Sequence, residues 1–257
     1  MDETLSPSSS GSFPPRTSLF NRLANVFAAP GDVFDEVRSS PACVANWIVP
    51  IVIVVAVTVA SFALTLSQPT IKQQIVEMQN KAIDQQVAAG KIKAADAEKA
   101  KEFLEKLPPW VLQLAGVVQG ILSGVFVTFW WALVLWFIGV RIFKGDFPFM
   151  KALESSGLAM MIFALAIVVT TLLIVVFGNL NARPSASVFL SEVDPTRKFH
   201  LLLGSINLFY IWMTGVLAVA LARLSGESYL KAATWLFGFW IVTRGLFVAV
   251  GLGGFVQ

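Results

Sequence analysis

The chain has 257 residues, of which 56% are hydrophobic and only 14% are charged, and its mean hydropathy is +0.73. Soluble domains carry about 25% charged residues, so this composition excludes an ordinary water-soluble domain. A net charge of +3, scattered along the chain, gives no basic patch for nucleic acid. One cysteine, Cys43, excludes an internal disulfide, and one histidine, His200, excludes a multi-histidine metal site, so no cofactor is expected.

The first 46 residues precede the first long apolar run. Residues 1–17 are rich in serine and proline and predict a disordered tail. Residues 18–45 predict two short amphipathic interfacial helices, separated by Pro30 and Gly31. In the first helix one face carries Leu19, Phe20, Leu23, Val26 and Phe27, and the opposite face carries Asn21, Arg22 and Asn25. Such helices usually lie in the headgroup plane, and packing against the protein's own loops is the alternative.

Five apolar runs of about 20 residues follow, each long enough to cross a hydrocarbon core of about 30 Å as a helix. They occupy residues 47–66, 112–140, 158–177, 201–221 and 234–256. Inside lipid, a single segment satisfies its backbone hydrogen bonds only as a helix. We therefore predict an all-α, polytopic integral membrane protein with five transmembrane helices, whose membrane domain covers residues 46–257. The loops 143–156 and 225–233 are short, so the spans that they join are antiparallel neighbours.

A polar segment at residues 68–109 separates the first two spans. Its lysines and acidic residues nearly balance, which predicts a solvated helical hairpin rather than a basic binding patch. If residues 110–142 form one helix, that helix is about 50 Å long and must tilt strongly or extend beyond the lipid. The loop at residues 178–199 is expected to contain a turn of helix.

The loop charges hardly distinguish the two orientations in the membrane. Five spans place eight lysine and arginine residues on the N-terminal side and ten on the opposite side. The bare count favours a cytoplasmic hairpin, whereas the short loops, which weigh more, favour a cytoplasmic N-terminus.

Three stretches resemble the Yip family (Ypt-interacting proteins), in the branch found in bacteria. They are LANVFAAPGDVFDEVRSSPACVANWIVP, AAGKIKAADAEKAKEFLEKLPPW and LLLGSINLFYIWMTGVLAVALARLSGESYLKAATWLFGFWIV. The resemblance implies five spans, a cytoplasmic N-terminus and a C-terminus outside. Eukaryotic members are linked to Rab GTPases, early secretory traffic and membrane shaping. The family often has an aspartate where this chain has Asn207.

A glycine zipper lies on one face of the second span. Gly116, Gly120 and Gly124 recur every four residues, with Gln119 beside them. Glycines let another backbone approach closely, and such packing drives helix association in lipid. The partner is expected to be a helix of the same chain. Self-association and a pore lining are the alternatives.

Polar residues inside the spans are the other candidate sites. Arg244 is the only formal charge well inside a predicted span, where it either snorkels to the interface or pairs with Glu192 or Asp194. Asn207, Tyr210 and Thr214 lie at i, i+3 and i+7 on the fourth span. They favour interhelical hydrogen bonds, with a polar cavity as the alternative.

The residues contain no nucleophile–base pair, no two-carboxylate site and no phosphate loop, which argues against an enzyme. With the resemblance, they favour a non-catalytic membrane-organising or adaptor protein in the cell inner membrane. Its partners are the lipid bilayer and either further copies of itself or other membrane proteins. The alternative is a small transporter or channel with a polar path near Arg244 and Asn207.

Overall fold

The computed structural model describes residues 17–106, 108–190 and 197–250, and these ranges contain ten α-helices. They are α1 (Leu19–Ala28), α2 (Pro30–Ser39), α3 (Ala45–Leu66), α4 (Pro69–Ala88), α5 (Ala94–Glu105), α6 (Pro109–Trp136), α7 (Phe149–Phe177), α8 (Lys198–Ser205), α9 (Leu208–Ser225) and α10 (Tyr229–Ala249). A π-helical turn, Phe137–Ile142, continues α6, and a 3-10 turn, Ala186–Phe189, lies in the loop after α7. Of the predicted tail, all but Thr17 lies outside the described residues.

Five helices are long and apolar enough to cross a membrane: α3, α6 with its π-helical turn, α7, α9 and α10. This confirms the predicted all-α class and the number of spans. The second span is one continuous element of 28 α-helical and six π-helical residues. At 1.5 Å per residue it is about 50 Å long, which is more than the thickness of a hydrocarbon core of about 30 Å. A helix of this length must tilt or extend beyond the lipid at one end.

Two span boundaries differ most from the sequence prediction. The third helix begins at Phe149 rather than at residue 158, after Pro148 in extended conformation. The fourth span is interrupted, because Ile206 and Asn207 leave helical geometry between α8 and α9. Both differences arise because polar groups at these positions find partners elsewhere in the chain. Hydropathy assigned the charged start of α7 to a loop, and it assigned the non-helical residues 206–207 to a continuous span.

Helix α7 is the centre of the bundle and packs against α3, α6 and α9, while α10 packs against α9 and α8. Fully buried Leu158, Ile162, Leu217 and Leu236 belong to the main core. At the end where α7 begins, α1 and α2 cross the bundle and pack on α7 and α9.

The N-terminal helices are part of this core. Val26, Val33, Phe34 and Val37 are all buried in the same cluster as the spans. The polar face predicted for α1 is wrong at one position, because Arg22 is only 6% exposed. Conversely Phe20, assigned to the apolar face, is 77% exposed. The nearest carboxylate to the Arg22 guanidinium is that of Glu36 on α2, at 4.0 Å.

The polar segment forms the two helices α4 and α5, which pack on each other. Lys101 on α5 lies 2.7 Å from the Asp84 carboxylate on α4. Gln74 joins this hairpin to the loop after α7: its amide donates to the Gly178 carbonyl and its oxygen accepts from the Leu180 N–H. The hairpin is therefore held to the far end of α7.

Candidate functional site

A buried ion pair lies at the beginning of α7, beneath the N-terminal helices. Glu154 is completely buried, and one carboxylate oxygen accepts a 2.7 Å hydrogen bond from the Asn46 amide of α3. The other oxygen lies 3.3 Å from the Lys151 ammonium, which also donates a 2.6 Å hydrogen bond to the Ser40 carbonyl that follows α2. Three helices, α2, α3 and α7, therefore meet at a single pair of charges.

Sequence reasoning missed this pair because it placed residues 143–156 in a loop and found no acid inside a span. The structure buries every residue from Lys151 to Gly157. At Gly157 a Cβ atom would lie 2.4 Å from the Trp47 Cα atom, so α3 and α7 touch backbone to backbone here. A signal was available: a lysine and a glutamate three residues apart precede the small residues Ser-Ser-Gly, which suits a helix in close contact.

A second set of charges fixes α1 and α2 to each other and to α9. Arg22 on α1 lies 4.0 Å from the Glu36 carboxylate on α2. The guanidinium of Arg223, near the end of α9, lies 3.3 Å from the Asp35 carboxylate. The Arg38 guanidinium donates a 3.0 Å hydrogen bond to the Arg223 carbonyl. Together with the buried apolar residues, these contacts make the N-terminal helices a fixed platform on the bundle.

The structure places all three zipper glycines against α3 of the same chain. A Cβ atom at Gly116 would lie 2.6 Å from the Phe62 ring, and one at Gly120 would lie 3.1 Å from Thr58. At Gly124 the nearest atom, in Ile51, would be 3.5 Å away. The close approach is therefore tightest at Gly116, near the beginning of α6, and ordinary at Gly124.

Arg244 lies on an aromatic stack. The guanidinium carbon is 5.3 Å from the centre of the Tyr210 ring on α9 and 5.8 Å from that of Trp240, one turn earlier on α10. Tyr210 in turn stacks on Phe163 of α7 with a centroid distance of 6.3 Å. Ring faces attract cations, so the stack stabilises a charge that would be costly in lipid. The predicted partners of Arg244, Glu192 and Asp194, lie outside the described residues.

Asn207 lies at the break in the fourth span, where α9 begins. Its side chain accepts a 2.9 Å hydrogen bond from the Phe209 N–H and so caps α9. Its backbone forms an isolated antiparallel bridge with Ser185 in the loop after α7. The Thr214 hydroxyl donates to the Tyr210 carbonyl within α9. The hydrogen bonds of the Asn207 and Thr214 side chains are thus local to α9.

The matching family model is described as the Yip1 domain and covers residues 24–252. No curated protein sequence and no solved structure matches the chain.

Proposed function

This chain belongs to the Yip1 domain family, and we propose that it is a non-catalytic membrane-organising or adaptor protein. Its five apolar helices make it a multi-pass membrane protein. We place it in the bacterial-type branch of the family and in the cell inner membrane. In this role it binds other proteins through its N-terminal helices and its spans.

The observation that carries the proposal is the platform formed by α1 and α2. Its inner side is buried in the bundle core and its helices are tied to α9 by charges. Its outer side presents Phe20, 77% exposed, with Ala24 and Asn21 exposed beside it. A large exposed aromatic group on a fixed helix suits protein recognition, because little conformational entropy is lost on binding.

The alternative, a transporter or channel, needs a continuous polar path. The buried charges Lys151 and Glu154 lie near the start of α7, while Arg244 and Tyr210 pack beside Phe163, nine residues further along. Nine residues of helix span about 13 Å. In that interval Leu158 and Ile162 are fully buried and apolar. The buried hydroxyls of Thr128, Ser156 and Thr214 donate to backbone carbonyls. Among the described residues no charged side chain joins the two polar groups, which favours the adaptor role.

A photoreactive amino acid at Phe20, introduced into the full-length protein in native membranes, tests the proposal. We expect a discrete protein adduct at Phe20 that disappears when Ala24→Arg changes the same face. The matched control is Phe103 on α5, an aromatic residue of similar exposure at 66%. Adducts only to lipid at Phe20, or the same adducts at both positions, would refute an adaptor surface on α1. Solute flux through liposomes containing the purified protein would instead support transport.

We propose that the N-terminus is cytoplasmic and that the C-terminus and the α4–α5 hairpin lie outside. The support is the family resemblance together with the short basic loops on the N-terminal side. Single cysteines at Ser8 and Ala88, in a Cys43→Ser background, should label oppositely with an impermeant maleimide in intact cells. Labelling at Ser8 from outside would reverse the orientation and leave the fold unaffected.

A further inference from the structure

Gln119, on the second span, is a polar side chain on a membrane-facing surface. It is exposed, whereas its neighbour Gly120 is buried against α3. In the part of the chain that the structure describes, its amide forms no hydrogen bond. A primary amide has two donors and two acceptor positions, and hydrocarbon offers partners for neither.

The packing of α6 on α3 sets the depth of this amide. Gly120 meets Thr58, and Gly116 meets Phe62. Thr58 lies eight residues before the end of α3 at Leu66, which corresponds to about 12 Å along the helix. Gln119 is therefore about 10 Å below the end of the first span. A glutamine side chain is too short to bring its amide to the interface from that depth.

An apolar stripe continues from Gln119 along the same face of α6. Leu122, Phe126, Leu133 and Phe137 recur at helical spacing and are 59%, 67%, 49% and 53% exposed. From Gln119 to Phe137 the stripe is about 27 Å long, close to the thickness of the hydrocarbon core. The stripe on the face of α6 turned away from α3 is thus apolar except at Gln119.

We propose that this face is the contact between two copies of the chain, with the two Gln119 amides hydrogen-bonded to each other. Copies inserted in the same orientation pair about an axis normal to the membrane, so each residue meets its own counterpart at the same depth. A polar residue at such a position must complement itself. An amide does so because it both donates and accepts, whereas a single charge would be repelled. The interface uses no residue of α1 or α2, so the proposed protein-binding surface on α1 can fail or hold independently of it.

Disulfide cross-linking tests the contact. The full-length protein, in a Cys43→Ser background, is purified, reconstituted in phosphatidylcholine vesicles and oxidised. Leu122→Cys and Phe126→Cys should each give a covalent dimer. The control is Val242→Cys on α10, a lipid-facing position of similar exposure at 68%, which should remain monomeric. Absence of dimers at both α6 positions, or equal yield at the control, would overturn the proposal. So would cross-linking in native membranes only to proteins of another size.

Substitution of the amide tests its part in the contact. Gln119→Leu should weaken dimerisation about three- to thirtyfold, measured by energy transfer between labelled copies diluted in lipid. Gln113→Leu is the matched control: it removes an exposed glutamine six residues earlier on the same helix, near the level of the end of α3, and should leave dimerisation unchanged. Gln119→Asn should retain part of the affinity because it keeps an amide. Equal affinities for wild type and Gln119→Leu would refute the amide pairing.

Discussion

Replacing Lys151 with methionine should destabilise the protein strongly, because the change leaves Glu154 charged and buried. The carboxylate is fully buried, its nearest cation is Lys151 at 3.3 Å, and the Asn46 amide is its remaining hydrogen-bond donor. Methionine has a similar length and keeps the packing of the side-chain stem. Removing one partner of a buried ion pair costs about 3–5 kcal/mol. The Ser40 carbonyl also loses its 2.6 Å donor, so we expect the upper part of that range.

Substitution of the other partner, Glu154, tests the effect of its charge without a change in side-chain shape. Glu154→Gln keeps the size of the side chain and an acceptor for Asn46, but leaves the Lys151 ammonium without its carboxylate. It should therefore be destabilising as well. The double variant removes both charges and should cost less than either single change, because replacing a whole buried pair with uncharged groups is often close to neutral. A double-mutant cycle should give a coupling energy of at least about 3 kcal/mol.

The free energy of unfolding can be measured by SDS titration in mixed micelles with tryptophan fluorescence. The control is Lys106→Met, which breaks an i,i+4 pair with Glu102 in which both side chains are more than 60% exposed. An exposed pair is worth less than about 1 kcal/mol. If Lys151→Met costs no more than Lys106→Met, the carboxylate is not desolvated and the reasoning fails.

Three further changes test other parts of the bundle. Gly120→Ile should lower the melting temperature in detergent because its Cβ meets Thr58, whereas Val118→Ile, on an exposed position, should not; equal effects would remove the packing argument. Tyr210→Leu should cost about 0.5–2 kcal/mol more than Tyr210→Phe, since only the phenylalanine keeps a ring beneath Arg244; no difference would mean that the ring contributes nothing. The hydrogen bond to Asp84 raises the pKa of Lys101 above its ordinary value of 10.5. The stability from this pair should be complete at neutral pH and lost as the pH rises through that raised pKa, with faster amide exchange in α5 as the readout.

The number of spans could be read from the sequence because hydropathy reports the transfer of a segment from water to lipid. That quantity is dominated by many apolar side chains and tolerates an error in any one of them. The contact between the zipper glycines and α3 is different: their spacing indicated a close helix contact, but not its partner. The choice of α3 depends on Phe62 and Thr58, whose positions follow from the packing of the whole bundle.

Hydropathy alone missed the buried pair because it treats a charge as solvated wherever it occurs. Lys151 and Glu154 were therefore assigned to a loop, and the start of α7 was placed after them. In the folded chain the two charges pair with each other. The Asn46 amide donates a hydrogen bond to Glu154, and the Ser40 carbonyl accepts one from Lys151. The helix can then begin nine residues earlier, at Phe149. The break at Asn207 has a related cause, because Ser185 supplies the backbone partner that a lipid-exposed segment would lack.

Gln119 presents the opposite case, because the sequence predicts its position in the helix but the single chain does not supply its hydrogen-bond partner. Hydropathy places it correctly inside a span, and α6 is helical throughout that region. Lys151 and Asn207 find their partners within the chain, whereas the Gln119 amide has none among the described residues. Because hydrocarbon offers no hydrogen-bond partner, an amide about 10 Å inside the membrane is best explained by a partner outside the single chain. Polar groups in lipid need hydrogen-bond partners. This requirement explains the misplaced boundaries of the third and fourth spans, and it indicates the Gln119 face of α6 as the surface through which this protein associates.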